Sequence, residues 1–330
     1  MAVPYPLKID AYAHIVPPKF KETLHKIAPQ MHDRFIMPNP TLYDLDVRFR
    51  MLDKYEPIRQ VLTLGRIPVE WVAGPEMAAD LARQANDEMA ELVLKHRDRF
   101  VAAIATLPMN NIEASLQETD RAINDLKCKG VYIHTPIDEK PLDGPEFLAL
   151  YAKMAEYELP IVLHPMRKTD HPDYLTEKES KYNIESMFGW PYDTSAAMAR
   201  LVFSGIMQKY PQLKILTHHC GGMIPFFSER IKQFTQSRMP RGLRKDALDY
   251  FKMFYADTAI YGNPSALMCG FEFFGPEHLV FGVDFPLGDI EHGGRNYRQT
   301  INAIEQMAIS EAEKKKIYED NARKLMCLPI

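Results

Sequence analysis

Short runs rich in apolar and β-branched residues recur along the chain, and longer stretches with helical periodicity separate them. The runs lie at 7–14 (LKIDAYAH), 60–64 (QVLTL), 100–108 (FVAAIATLP) and 130–134 (GVYIH). They continue at 160–164 (PIVLH), 213–219 (LKILTHH), 254–260 (FYADTAI) and 278–284 (HLVFGVD). Between them, 78–99, 112–127, 193–210 and 310–326 repeat their apolar positions with a helical period. The last of these opens Ser310-x-x-Glu313, the pattern of a capping box, in which each side chain satisfies the other residue's backbone donor. Strands alternating with helices predict parallel pairing through right-handed crossovers. Eight such units predict an α/β fold of the (β/α)8 TIM-barrel type. No internal repeat, low-complexity tract or Gly/Ser linker divides the chain, so residues 1–330 read as a single domain.

Composition narrows the function classes. A net charge of -4 and a pI near 6.3 give no footprint for nucleic acid, and no run of like charges marks a membrane surface. No apolar stretch approaches the roughly 18 residues of a membrane span. The opening MAVPYPLKID lacks the basic-then-apolar order of a secretory signal. Cys128, Cys220, Cys269 and Cys327 are scattered without a C-x-x-C pair, which fits reduced thiols in a cytoplasmic protein.

A barrel gathers its functional groups at the C-terminal ends of the strands. His14 ends the first strand, His164 the fifth, His219 the sixth and Asp284 the eighth. One histidine at a strand end is usually structural; three with an aspartate at a single mouth point to chemistry. Imidazole and carboxylate ligate zinc, with manganese as the alternative. The expected ligands of one divalent ion are His14, His164 and Asp284. His219 is either a fourth ligand or a proton carrier, as its ordinary pKa near 6.5 suits.

These residues sit in segments that resemble the decarboxylase branch of the amidohydrolase superfamily, typified by aminocarboxymuconate-semialdehyde and hydroxybenzoate decarboxylases. KIDAYAHIVP is similar to that family's opening metal strand, and IVLHP to its second. YPQLKILTHHCGGMIPFFSERI resembles the segment with the catalytic histidine, a Gly pair and a substrate-facing arginine, and LVFGVDFPLGD the segment with the aspartate. The resemblance implies catalytic roles for His219 and Asp284, with Asp284 also a metal ligand. It makes Arg230 the holder of an anionic substrate group; a surface ion pair with Glu229 is the structural alternative. Tyr12 stands where other members carry histidine or glutamate. It is expected to ligate as phenolate, to offer a neutral hydroxyl to the substrate, or to fill a site that has lost its metal.

Other positions carry weaker expectations. His218, one step from His219, is expected on the opposite side of its strand, packed between barrel and helices. His134 ends the fourth strand and is a candidate substrate contact. Asp10 lies lower in the barrel and suits a structural hydrogen bond. The polar stretch 166–192 is long for a connecting loop and predicts a lid or a subunit contact, with His171 exposed.

Three functions follow. The first is a metal-dependent carboxy-lyase removing CO2 from an aromatic or unsaturated small-molecule carboxylate. The second is a hydrolase or hydratase of the same fold acting on a lactone, cyclic amide or related ring; the third is a metal-free binding protein. The family's hydrolases commonly keep His-x-His, and many bridge two metals through a lysine on the fourth strand, whereas GVYIH has none. The resemblance also implies a homodimer.

Overall fold

The computed structural model describes residues 7–55, 57–65, 67–237, 242–289, 291 and 293–328. Its strands are β1 (Lys8–Ile15), β2 (Ile58–Leu64), β3 (Phe100–Ala103), β4 (Ala105–Thr106), β5 (Val131–Thr135), β6 (Pro160–Pro165), β7 (Lys214–Thr217), β8 (Tyr255–Asp257) and β9 (Leu279–Val280). Every pairing between them is parallel, in the orders β1-β2-β3 and β4 through β9. β3 and β4 are two halves of one strand that changes partner at Ile104. The Ile104 N–H donates to Leu62 O (2.8 Å), whereas the Ala105 N–H donates to Gly130 O (3.0 Å).

The two ends of this array meet. Ala11 N–H donates to Phe281 O (2.8 Å) and His14 N–H to Phe285 O (2.7 Å), and Ala13 pairs in parallel with Phe285. The α/β barrel of the sequence reading is therefore present, its eight strands at the expected places. All eight residues of β1 and all six of β6 are buried; β6 accordingly reads as a near-continuous apolar run, whereas β1 alternates polar and apolar residues along its length. Ile9, Val61, Tyr132, Val162, Leu216 and Val280 pack in one cluster, which Leu325 and Met326 of the C-terminal helical segment join.

Helices Pro75–Lys95 and Ile112–Asn124 fall where the periodicity predicts them. The third stretch is broken at Gly205 (φ 82°) into Trp190–Phe203 and Ile206–Lys209. The capping box of Ser310 and Glu313 is formed. Between β1 and β2 lie helices Pro18–Ile27 and Leu45–Leu52 and the π-helical turn His32–Ile36, which no periodic pattern announces. Prolines at 17, 18, 29, 38 and 40 cut this region into pieces shorter than a periodicity window.

Candidate active site

β1, β6 and the segment after β9 deliver His14, His164 and Asp284 to one place, all buried, with one donor atom of each lying within 4.8 Å of the others. His14 Nδ1 faces Thr63 Oγ1 (3.0 Å) and Leu64 O (3.3 Å), and His164 Nδ1 donates to Pro165 O (2.6 Å). Each ring is thereby oriented with its Nε2 toward the cluster, the arrangement that second-shell partners impose on metal-binding histidines. His14 Nε2 lies 3.2 Å from Asp284 Oδ1. Burial, above all, holds the His14 and His164 imidazoles below their ordinary pKa and hence neutral. Asp284 takes a left-handed backbone (φ 60°), sparsely populated by residues other than glycine, which marks a locally strained position.

His218 belongs to this cluster, contrary to the sequence expectation. β7 ends at Thr217; His218 is still extended, but His219 (φ 53°) and Cys220 (φ 54°) are left-handed. His218 therefore keeps the alternation of β7 and shares the inward face of Leu216, and the left-handed turn that starts at His219 brings the second ring to the mouth as well. Gly222 (φ 62°) completes the turn, and a Cβ there would sit 2.4 Å from Pro191 O. His218 Nδ1 donates to Asp257 Oδ2, and its Nε2 lies 3.3 Å from Asp284 Oδ1. Burial opposes a charge on this ring, but Asp257 and Asp284 outweigh it and lift its pKa to about 10. Asp284 is the converse: burial would raise it, yet His218 and His14 hold it well below the carboxylate range.

Asp257 is the residue that the sequence reading missed: it lies in the middle of the predicted run 254–260, whereas β8 ends at it. Its second oxygen accepts from the Cys220 N–H (3.1 Å) and the Ala259 N–H (3.0 Å), so it anchors the whole His218 turn. Gly282 allows the approach: a Cβ there would lie 3.1 Å from the Asp257 Cβ and 3.2 Å from the Tyr12 Cβ.

Tyr12 is fully buried and stacks on His218, ring centroids 4.2 Å apart. Its hydroxyl makes no hydrogen bond of ordinary geometry, and burial foremost raises its pKa well above that of a free phenol. His134 pairs in register with His164, their rings 5.8 Å apart; burial first, and then His14, push it down to about 3. Asp10 accepts from the Tyr12 N–H (3.1 Å) and from the Tyr297 hydroxyl (2.5 Å).

A cavity of about 340 Å³ opens over the cluster, with His219, Asp284, Trp190 and Tyr261 among its walls. The His219 ring is tilted over Trp190 at 6.3 Å, and burial foremost lowers its pKa to about 3. The long stretch 166–192 supplies Ser186, Met187, Trp190 and Pro191 to the wall, and His171 in it is exposed. Arg230 is not brought to this cavity. It is exposed on helix Ser228–Ser237 with its guanidinium 4.7 Å over the Phe234 ring, because that helix turns its polar face outward.

Among the buried polar atoms without a hydrogen-bond partner are His14 Nε2, His164 Nε2 and Asp284 Oδ1, and so are Tyr12 Oη, His134 Nε2, His218 Nε2 and His219 Nδ1. The lone pairs of His14, His164 and Asp284 converge within 4.8 Å of one another, which is what a divalent ion satisfies, so these three residues fit one.

Known proteins agree in fold and sequence. The amidohydrolase family profile matches residues 9–326. The 2-amino-3-carboxymuconate-6-semialdehyde decarboxylase of Dictyostelium discoideum is 26% identical over 98% of this chain and 92% of its own. The 6-methylsalicylic acid decarboxylase of Penicillium expansum is 28% identical over 84% and 85%. The 5-carboxyvanillate decarboxylase of Novosphingobium aromaticivorans, solved with manganese and 3-methoxy-4-hydroxy-5-nitrobenzoic acid, superposes with a TM-score of 0.84 at 21% identity over 98% of each chain. With a family match running from β1 to the C-terminal helix, the chain belongs to the amidohydrolase family.

Proposed function

We propose that this protein is a metal-dependent decarboxylase of an aromatic carboxylic acid. The observation that carries the reading is the convergence of three buried donor atoms, from His14, His164 and Asp284, under a cavity sized for one ring. The names of the full-length relatives support the reaction class.

His14 Nε2, His164 Nε2 and Asp284 Oδ1 would hold one divalent ion, zinc or manganese. When bound, the ion would fix the substrate carboxylate with a neighbouring oxygen and withdraw charge. Loss of CO2 breaks a carbon–carbon bond and leaves its electron pair on the ring carbon, which must take a proton. The charged His218, whose Nε2 lies 3.3 Å from Asp284 Oδ1, is the proton reservoir, and Asp284 would pass the proton on through the carboxylate oxygen not engaged by the ion. Asp257 holds His218 through Nδ1 and favours its charged form. His219 and Trp190 wall the cavity and orient the ring, and the apolar Ile260 and Leu287 exclude water. This gives His218 the proton-carrying part expected of His219 and leaves His219 as a substrate contact. Tyr12, stacked behind His218, keeps that ring in place, and His134 supports His164 from the adjacent strand.

The reading extends to one domain acting as a cytoplasmic homodimer on a small carboxylate. Exposed Phe226, Phe227 and Tyr192 beside the mouth supply apolar surface for a second copy, and the four cysteines are unpaired. Among the described residues, no helix is long and apolar enough to cross a membrane.

The test is elemental analysis of untagged protein followed by a CO2-release screen over hydroxybenzoates. Near-stoichiometric metal and CO2 release abolished by Asp284→Asn are expected. Ring opening without CO2 would overturn the carboxy-lyase reading, and failure to take up zinc or manganese would overturn both metal-dependent ones.

A further inference from the structure

Outside the active site, the corner between helix Pro18–Ile27 and the turn His32–Ile36 brings together His25, His32 and Asp33. The His32 ring is buried, while the side chains of His25 and Asp33 are 57% and 66% exposed. His32 Nδ1 lies 2.8 Å from Asp33 Oδ1 and 3.1 Å from His25 Nδ1, and His25 Nδ1 is 4.0 Å from Asp33 Oδ1.

Hydrogen bonds do not satisfy this triangle. A carboxylate only accepts, so the His32 Nδ1 hydrogen goes to Asp33. That nitrogen then has no lone pair for His25, and the two rings are left sharing one hydrogen or opposing two. A cation between the three atoms removes the conflict. The circle through three points with these separations has a radius of about 2.0 Å, the length of a first-row metal bond to imidazole nitrogen or carboxylate oxygen.

The angles at that centre choose the ion. His32 stands at about 100° to His25 and about 90° to Asp33, whereas His25 and Asp33 are nearly opposed at about 170°. That T shape occupies three corners of a square and leaves the fourth open to water; it is far from the tetrahedron that zinc prefers. Nitrogen and oxygen donors in a tetragonal frame suit Cu²⁺ and Ni²⁺.

We propose that His25 Nδ1, His32 Nδ1 and Asp33 Oδ1 form a second, peripheral metal site that takes a tetragonal ion, Ni²⁺ or Cu²⁺, in preference to Zn²⁺. The ion clips the end of one helix to the next turn. The chain that follows braces the catalytic strand: Leu42 O accepts from the Val16 N–H (2.8 Å), and Thr41 O shares Arg48 Nη1 with His14 O.

The probe is NiCl2, titrated calorimetrically into untagged wild type, His25→Ala and Asp33→Asn, all with the catalytic ligands intact. Wild type is expected to bind one equivalent more than His25→Ala, and Asp33→Asn to bind that equivalent at least 10-fold more weakly. Nickel should raise the melting temperature of wild type more than that of His25→Ala, with CO2 release equal in the two. One equivalent of Cu²⁺ at this site should give an axial electron-spin spectrum split by two nitrogens. Equal nickel stoichiometry in wild type and His25→Ala would overturn the site, and tighter binding of zinc than nickel at it would overturn the tetragonal assignment.

Discussion

Tyr12 lies face to face with His218, their planes inclined by 17° and their ring centroids 4.2 Å apart. A tyrosine in the opening strand is thus explained by packing against the histidine that Asp257 holds, and His14, His164 and Asp284 form a donor set without its hydroxyl. Removing a hydroxyl that makes no hydrogen bond is close to neutral. Tyr12→Phe is expected to keep the metal content of wild type and to change stability by less than about 1 kcal/mol. Tyr12→Ala empties the stack and is expected to cost about 3–5 kcal/mol. Elemental analysis and urea unfolding of the two variants check both; loss of metal in the phenylalanine variant would mean that the phenolate ligates.

Asp257 acts through His218. Replacing it with asparagine keeps the shape but removes the charge that favours the imidazolium, so the reservoir for Asp284 is lost. CO2 release by Asp257→Asn is expected to fall by about 10²–10⁴, the span of general acid–base assistance. The effect should appear in kcat rather than KM. A mere loss of fold is excluded by an unchanged circular dichroism spectrum and metal content.

Gly282 sits where two side chains of the site approach its backbone. In Gly282→Ala the new methyl presses on Asp257 and Tyr12 at 3.1 and 3.2 Å. A destabilisation of about 1–3 kcal/mol is expected from overpacking. Activity should drop further than stability, since both displaced residues support His218. A denaturation midpoint and a CO2-release rate measured on the same preparation separate the two effects.

Glu70, in the short helix Val69–Val72 after β2, is buried with Oε2 unpaired, and burial foremost, helped by Asp138, lifts its carboxyl to about 8. The unfolded chain releases that proton near the ordinary glutamate pKa. Between about 4.5 and 8 the folded state therefore holds more protons, and this group lowers stability as pH rises, by up to about 1.4 kcal/mol per unit. Glu70→Gln is expected to flatten that slope and to be the more stable protein at pH 8. Urea midpoints across pH 5–9 decide it; parallel profiles would show that Glu70 is not the source.

The barrel and most of the donor set were legible because they follow from period and position. His14, His164 and Asp284 each close an apolar run, and a barrel aims such residues into one mouth. What escaped depends on backbone turns that no hydrophobic pattern encodes. His218 was assigned to the far side of its strand because the inward face was given to His219; the extended His218 shares the face of Leu216, and it is the left-handed turn at His219 that brings both rings to one mouth. Asp257 lay in the middle of a run read as strand to residue 260, whereas the strand ends at Asp257 itself, so nothing marked it out. Arg230 rested on family resemblance alone, and the helix carrying it faces solvent in this chain.

His14 belongs to the first strand and Asp284 to the segment after the last, and the backbone hydrogen bonds from Ala11 and His14 to Phe281 and Phe285 hold them together. A nascent chain that has made β1 through β8 still lacks the carboxylate. Contacts so distant in sequence form only after the entropy of closing nearly the entire chain has been met. Metal capture is therefore a late event in the life of each molecule, reserved for chains whose final strand has docked. Truncation that reaches Asp284 would remove the site entirely rather than weaken it by degrees.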